Sequence, residues 1–219
     1  PDSNYVIVTR SGVEKEFVMY HIDGGSGVTL SGTEEENEFW GVGAEVSPDG
    51  QYMYFAKQTD SNGPVKNFPT AQINRYGFLT GNLDQITQGE GGGLRPALSS
   101  DGELLVYATR NETKTGLRIR NLSSGSDRWL SYPVQRDAQE NFRPPSRDLL
   151  PGYSFTPDDQ SIIFNAGGKF HRVDITSNKK QEIPFSANVN LDIGPDLIAS
   201  YRVPQDEITS TIIHNPSVS

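Results

Sequence analysis

One four-residue phrase governs what this chain can fold into. Ser47-Pro48-Asp49-Gly50 stands directly before the alternating run Gln51-Tyr52-Met53-Tyr54-Phe55-Ala56, and the phrase returns with variations along the 219 residues. Ser99-Ser100-Asp101-Gly102 precedes Glu103-Leu104-Leu105-Val106-Tyr107-Ala108, Thr156-Pro157-Asp158-Asp159 precedes Gln160-Ser161-Ile162-Ile163-Phe164-Asn165, and Pro1-Asp2-Ser3 precedes Asn4-Tyr5-Val6-Ile7-Val8. The proline presets φ at the first central position of a turn, the aspartate bonds its own backbone, and the glycine accepts a positive φ before the strand starts. Each copy therefore reads as the turn of a β-hairpin. Asp159, standing where two of the other copies hold Gly50 and Gly102, predicts a weaker turn.

The chain on either side of each turn completes a unit. Short strands lie upstream at residues 43–46, 95–98, 152–155 and 215–218. Third strands follow within residues 17–24, 117–125 and 170–175, and charge-rich outer strands at 85–87, 128–130 and 181–183 fit the edge of a sheet, where charge is tolerated. The resulting expectation is an all-β fold, a β-propeller of four-stranded antiparallel blades, with four repeats at approximately 1–46, 47–98, 99–155 and 156–219 forming a single domain or segment. Residues 215–218 are the inner strand of a blade whose second strand lies elsewhere. Pairing with residues 4–8 would close a four-bladed ring; otherwise the repeats belong to a larger propeller. Because four is the low end of the usual range of roughly 4–8 blades, the larger propeller is the expectation.

Composition agrees with short strands broken by turns: 22 Gly and 14 Pro accompany only 34% hydrophobic residues. The net charge of -9 repels phosphate backbones and anionic lipid, so nucleic acid is not an expected partner. Nor is membrane insertion, since no stretch approaches the ~18 apolar residues of a spanning helix, and no signal-peptide pattern opens the chain. With no cysteine, disulfides, thiolate metal ligands and a cysteine nucleophile are impossible.

The Ser-Pro-Asp-Gly turn before an apolar strand resembles the repeat of TolB-type propellers. A closer likeness lies in residues 20–28, 132–137 and 147–158, with Gly167-Gly168-Lys169 and Glu182-Ile183-Pro184-Phe185. These are similar to the propeller portion of large bacterial proteins in which a TolB-like propeller is fused to an amidohydrolase barrel. The resemblance runs through most of residues 17–200. It implies a periplasmic or otherwise exported protein whose hydrolysis belongs to a histidine-held metal centre in the barrel rather than to the propeller. His21, His171 and His214 are the three histidines here and have no ligand spacing. No catalytic residue, metal or cofactor is therefore expected.

Other motifs reduce to structure. Gly89-Glu90-Gly91-Gly92-Gly93 lacks the Lys-Ser/Thr of a phosphate loop and reads as a connection between blades. Gly24-Gly25-Ser26-Gly27 is a tight turn rather than a nucleophile elbow. Asp158-Asp159 and Glu34-Glu35-Glu36 read as solvated loop charges, and Tyr54, Tyr107 and Phe164 as packing between blades. Propellers bind at the central channel, where residues entering the inner strands converge. The aligned rim positions are Gly43, Arg95, Gly152 and Asn215; Trp40, Asp148 and His214 adjoin them, and Glu45 aligns with Ala97, Ser154 and Ser217, facing the channel. Against a ligand mouth stands a structural reading, in which Arg95 pairs with Asp148 and Trp40 covers the core. Three functions follow: a docking or gating module for a protein partner or a hydrolase domain on the same chain, an independent envelope protein recognising a peptide, protein or sugar, or the propeller of a prolyl-oligopeptidase-type peptidase.

Overall fold

The computed structural model describes residues 4–10, 16–31, 39, 41–58, 71–139, 150, 152–191 and 194. The chain forms two units, Pro1–Pro184 and Phe185–Ser219; residues 185–191 and 194 of the second are described and lie in no strand. The described strands of the first unit form four antiparallel sheets. The first holds β1 (Tyr5–Arg10), β2 (Glu16–His21) and β3 (Val28–Thr29), and the second β4 (Gly41–Val46), β5 (Tyr52–Gln58), β6 (Ala71–Gly77) and β7 (Leu83–Gln85). The third holds β8 (Leu94–Leu98), β9 (Leu104–Asn111), β10 (Lys114–Asn121) and β11 (Asp127–Ser131), and the fourth β12 (Tyr153–Phe155), β13 (Ser161–Ala166), β14 (Lys169–Asp174) and β15 (Lys180–Ile183). Each sheet is a meander in chain order, and together they are propeller blades, one per sequence repeat. Residues 215–218, whose pairing with residues 4–8 would close a four-bladed ring, lie outside the described residues.

The repeated turn is held by a hydroxyl at its centre. Ser99 Oγ donates to Asp101 Oδ1 at 2.6 Å and accepts from the Leu104 amide at 2.9 Å, while Asp101 Oδ1 also accepts from the Glu103 amide at 2.9 Å. Ser47 with Asp49, and Thr156 with Asp158, repeat the same three bonds. In all three turns the hydroxyl donation, then the amide donation, hold the aspartate below the usual carboxylate range.

At Asp159 the turn keeps the geometry and the three bonds of its equivalents. Asp159 takes a left-handed φ of 53°, as Gly50 and Gly102 do at the equivalent place, and its carboxylate accepts from both the amide and the hydroxyl of Ser100 in the preceding blade's turn. Short polar side chains tolerate this conformation. The substitution therefore trades a permissive residue for a tie between blades.

The second and third blades each lie between two others, and their second strands are accordingly apolar on both faces. Met53, Tyr54, Phe55 and Ala56 in β5 are all buried. Met53 and Phe55 join Phe17 and Phe39 in one cluster, where the Phe17 and Phe55 rings meet edge-on at 5.0 Å and those of Phe39 and Phe55 stack at 5.2 Å. Tyr54 and Ala56 face the third blade, in a larger cluster that includes Tyr107 and Phe164. The three aromatics thus pack as expected. Among the described residues no helix is long and apolar enough to cross a membrane.

Candidate functional site

The inner strands β4, β8 and β12 of three consecutive blades share a small recess of about 150 Å³, bordered by Gly43, Glu45, Arg95, Ala97, Tyr153 and Ser154. Of the six expected site residues, the structure places Glu45 and Arg95 here. Trp40, Asp148, His214 and Asn215 lie outside the described residues, so the alternative pairing of Arg95 with Asp148 does too.

Local backbone geometry explains how Arg95 reaches the recess. β4 and β8 both carry a register shift at this position, between Val42 and Glu45 and between Leu94 and Ala97. Gly43 meets it with a φ of 66°, which costs glycine nothing. Arg95 sits at the equivalent place with a φ of 49°, a conformation that costs an L residue roughly 1–2 kcal/mol. The bulge turns its side chain towards the fourth blade. There Nη1 donates to the Leu150 carbonyl at 3.3 Å, and the guanidinium lies where a Cβ on Gly152 would stand 2.9 Å from Nη2. Tyr153, largely buried, donates its hydroxyl back to the Leu94 carbonyl at 3.2 Å and to the Arg95 carbonyl. Burial pushes that phenol far above its usual range, so it remains a donor.

Glu45 and Ser154 are exposed in the recess, while Ala97 lies buried at its floor. The surrounding protein raises the Glu45 carboxyl above its ordinary value, and the charge of Arg95 acts in the opposite direction. Burial lowers the Arg95 guanidinium, partly offset by Tyr153 and Glu45. The arrangement offers one anchored cation and one adjustable carboxyl at a three-blade junction, which suits recognition of a polar or charged chain segment. Among the described residues, no three His, Cys, Asp or Glu side chains gather as a metal site.

Two constellations escape a reading of the sequence. Arg110 and Asp137 form a buried ion pair in which Asp137 also accepts from Thr115 Oγ1 at 2.5 Å and from the Gln139 amide at 3.0 Å. It fastens residues 132–139 to β9 and β10, and is fully occupied by that task. The second is a row of charged and aromatic side chains on the outer strands of the third blade, where the sequence showed only an edge strand.

No protein-family model and no curated protein matches the sequence. Solved structures share its fold. A putative TolB from Agrobacterium tumefaciens superimposes with a TM-score of 0.62 at 18% identity, over 85% of this chain and 60% of that one. TolB from Acinetobacter baumannii gives 0.58 at 16% identity, over 83% and 41% respectively. A chain of the nidogen/laminin complex gives 0.56 at 11% identity, over 83% and 60%. The chain thus has a TolB-type propeller fold and spans about half the length of these two TolB structures.

Proposed function

We propose that this chain is a non-catalytic propeller module that docks a protein segment at the recess shared by its inner strands, with Arg95 and Glu45 as the recognising pair. The observation that carries this reading is the conformation of Arg95: a non-glycine residue held in the left-handed region, where the aligned positions of two other blades have glycine. Strain of this kind persists where the surroundings enforce it, and it concentrates at functional positions. The docked partner is a hydrolase domain of amidohydrolase type on the same polypeptide, within an exported periplasmic protein; the resemblance of residues 20–28, 132–137 and 147–158 supports this. Residues 1–219 then act as one propeller domain or segment. A second reading, an independent envelope protein that recognises a peptide, protein or sugar, draws support from the solvent-exposed Glu45 and Ser154 in the same recess.

The test is selection of binders from a displayed random-peptide library on the immobilised chain, followed by binding to Arg95→Gly and Glu45→Gln. Selected peptides are expected to lose at least about tenfold in affinity for Arg95→Gly, the loss of one charge-assisted hydrogen bond. Peptides indifferent to both substitutions, or hydrolysis by the purified chain itself, would overturn the proposal.

A further inference from the structure

A second concavity lies away from that recess, between the connection at Thr87–Gly92 and one face of the third blade. It measures about 940 Å³. Its wall is one face of the third blade, because the strand register sets Tyr107, Arg118 and Trp129 in a single row across β9, β10 and β11, with Arg120 beside Asp127 one step along. The opposite lip is the Gly89–Gly92 connection. It can lie this close because Gly91 has no side chain: a Cβ there would stand 1.7 Å from the Arg110 carbonyl oxygen.

The charges of this groove divide unevenly: Arg118 and Arg120 with Asp127 stand at one end, and Glu90 and Glu112 at the other, where Arg110 is tied to Asp137. At the end nearest Leu105, two arginines share one carboxylate. Asp127 accepts from Tyr107 Oη at 2.6 Å and from Arg118 Nε at 2.6 Å, while Arg120 Nη1 stands 3.6 Å from it, beyond hydrogen-bond reach. Arg120 is a partly sheltered cation, 30% exposed, with its strongest neighbour already engaged by two others. At the other end Glu90 and Glu112 are both exposed. Six strand steps separate the two ends, from the level of Leu105 to Asn111, or roughly 20 Å at the rise of a β-strand.

From this we infer that the groove between the second and third blades binds an extended peptide segment, with an acidic side chain at Arg118 and Arg120 and a basic one at Glu90 and Glu112. An extended chain of about six residues covers that distance, and the uneven charges set its direction. A sugar fits less well. Trp129 has the Arg118 guanidinium 4.9 Å from its ring and the Tyr132 ring at 4.8 Å, so its aromatic surface is already in use. This site is independent of the recess and does not rest on its reading.

Fluorescence polarisation with a labelled Lys-Ala-Thr-Ala-Ser-Glu peptide tests the inference. Binding should weaken about tenfold when the peptide's glutamate becomes glutamine, and by as much with Arg120→Glu, which should in turn favour a peptide ending in lysine. Glu112→Lys lies on an exposed turn and carries the same test from the basic end should Arg120→Glu fail to fold. Arg95→Gly should leave binding unchanged. No binding up to about 1 mM peptide, indifference to both groove substitutions, or loss with Arg95→Gly alone would overturn the proposal; so would equal binding of a galacturonate trimer.

Discussion

Replacing Ser99 with alanine tests what holds the repeated turn together. Ser99 is 1% exposed, and its hydroxyl both donates to Asp101 and accepts from the Leu104 amide. Alanine keeps the backbone but leaves that amide without its acceptor and Asp101 without its strongest donor. An unsatisfied sheltered amide costs about 1–3 kcal/mol, and a lost bond to a charged group adds to it, giving about 2–4 kcal/mol in all. In a domain of this size that corresponds to a fall in Tm of roughly 4–16 °C. The fourth blade supplies the control, since Thr156 makes the same bonds at the equivalent place. Ser99→Thr should therefore stay close to the parent in urea unfolding at pH 7, while Ser99→Ala shows a lower midpoint at unchanged m-value. The pH dependence has a definite sign. The depressed folded-state pKa of Asp101 contributes stability that is present above the unfolded value near ~3.9 and is lost as pH falls through the lower folded value. The gap between the parent and Ser99→Ala should thus narrow on acidification below pH ~4. Equal midpoints for the alanine and threonine variants would refute the hub.

Two further substitutions follow from positive-φ positions. Asp159→Gly introduces the residue found at Gly50 and Gly102 yet should lower Tm by roughly 2–4 °C in a thermal scan, since the bonds to Ser100 outweigh any relief of strain. At Arg95, glycine should be more stable than alanine by roughly 0.5–1 kcal/mol in urea titration, the reverse of their usual order, because alanine keeps the left-handed strain and lacks the guanidinium contacts.

The blades were readable because their signal is local and recurs. A turn of four residues before an alternating strand needs no knowledge of distant contacts, and β5, β9 and β13 begin within a residue of the expected places. Their partners were less distinct: β6 is a full seven-residue strand, yet its run Ala71-Gln72-Ile73-Asn74-Arg75-Tyr76-Gly77 carries no turn phrase to announce it. The first residue of that phrase marks each repeat, but its hydroxyl role appears only once the Leu104 amide is seen to point at it. The groove depends on more remote information still. Tyr107, Arg118 and Trp129 are eleven residues apart in each step of sequence and become neighbours only through the register of two strand pairs. A one-residue slip would send Arg118 to the opposite face, among Val106, Leu117 and Ile119.

Arg95 shows a signal that the repeat does contain. Aligning the inner strands sets it in a column with Gly43 and Gly152. When equivalent copies hold glycine, the backbone there is free to be left-handed, and the copy that departs must either change the backbone or bear the strain. Here β8 keeps the bulge of β4 and bears it. The side chain that results crosses to the next blade, over a glycine whose missing Cβ makes room for it. In a repeat protein an odd residue in a glycine column therefore does more than mark variation. It identifies the blade whose inner strand has exchanged conformational ease for a side chain at the junction, and Asp159 makes the same exchange in the turn of the following blade's hairpin.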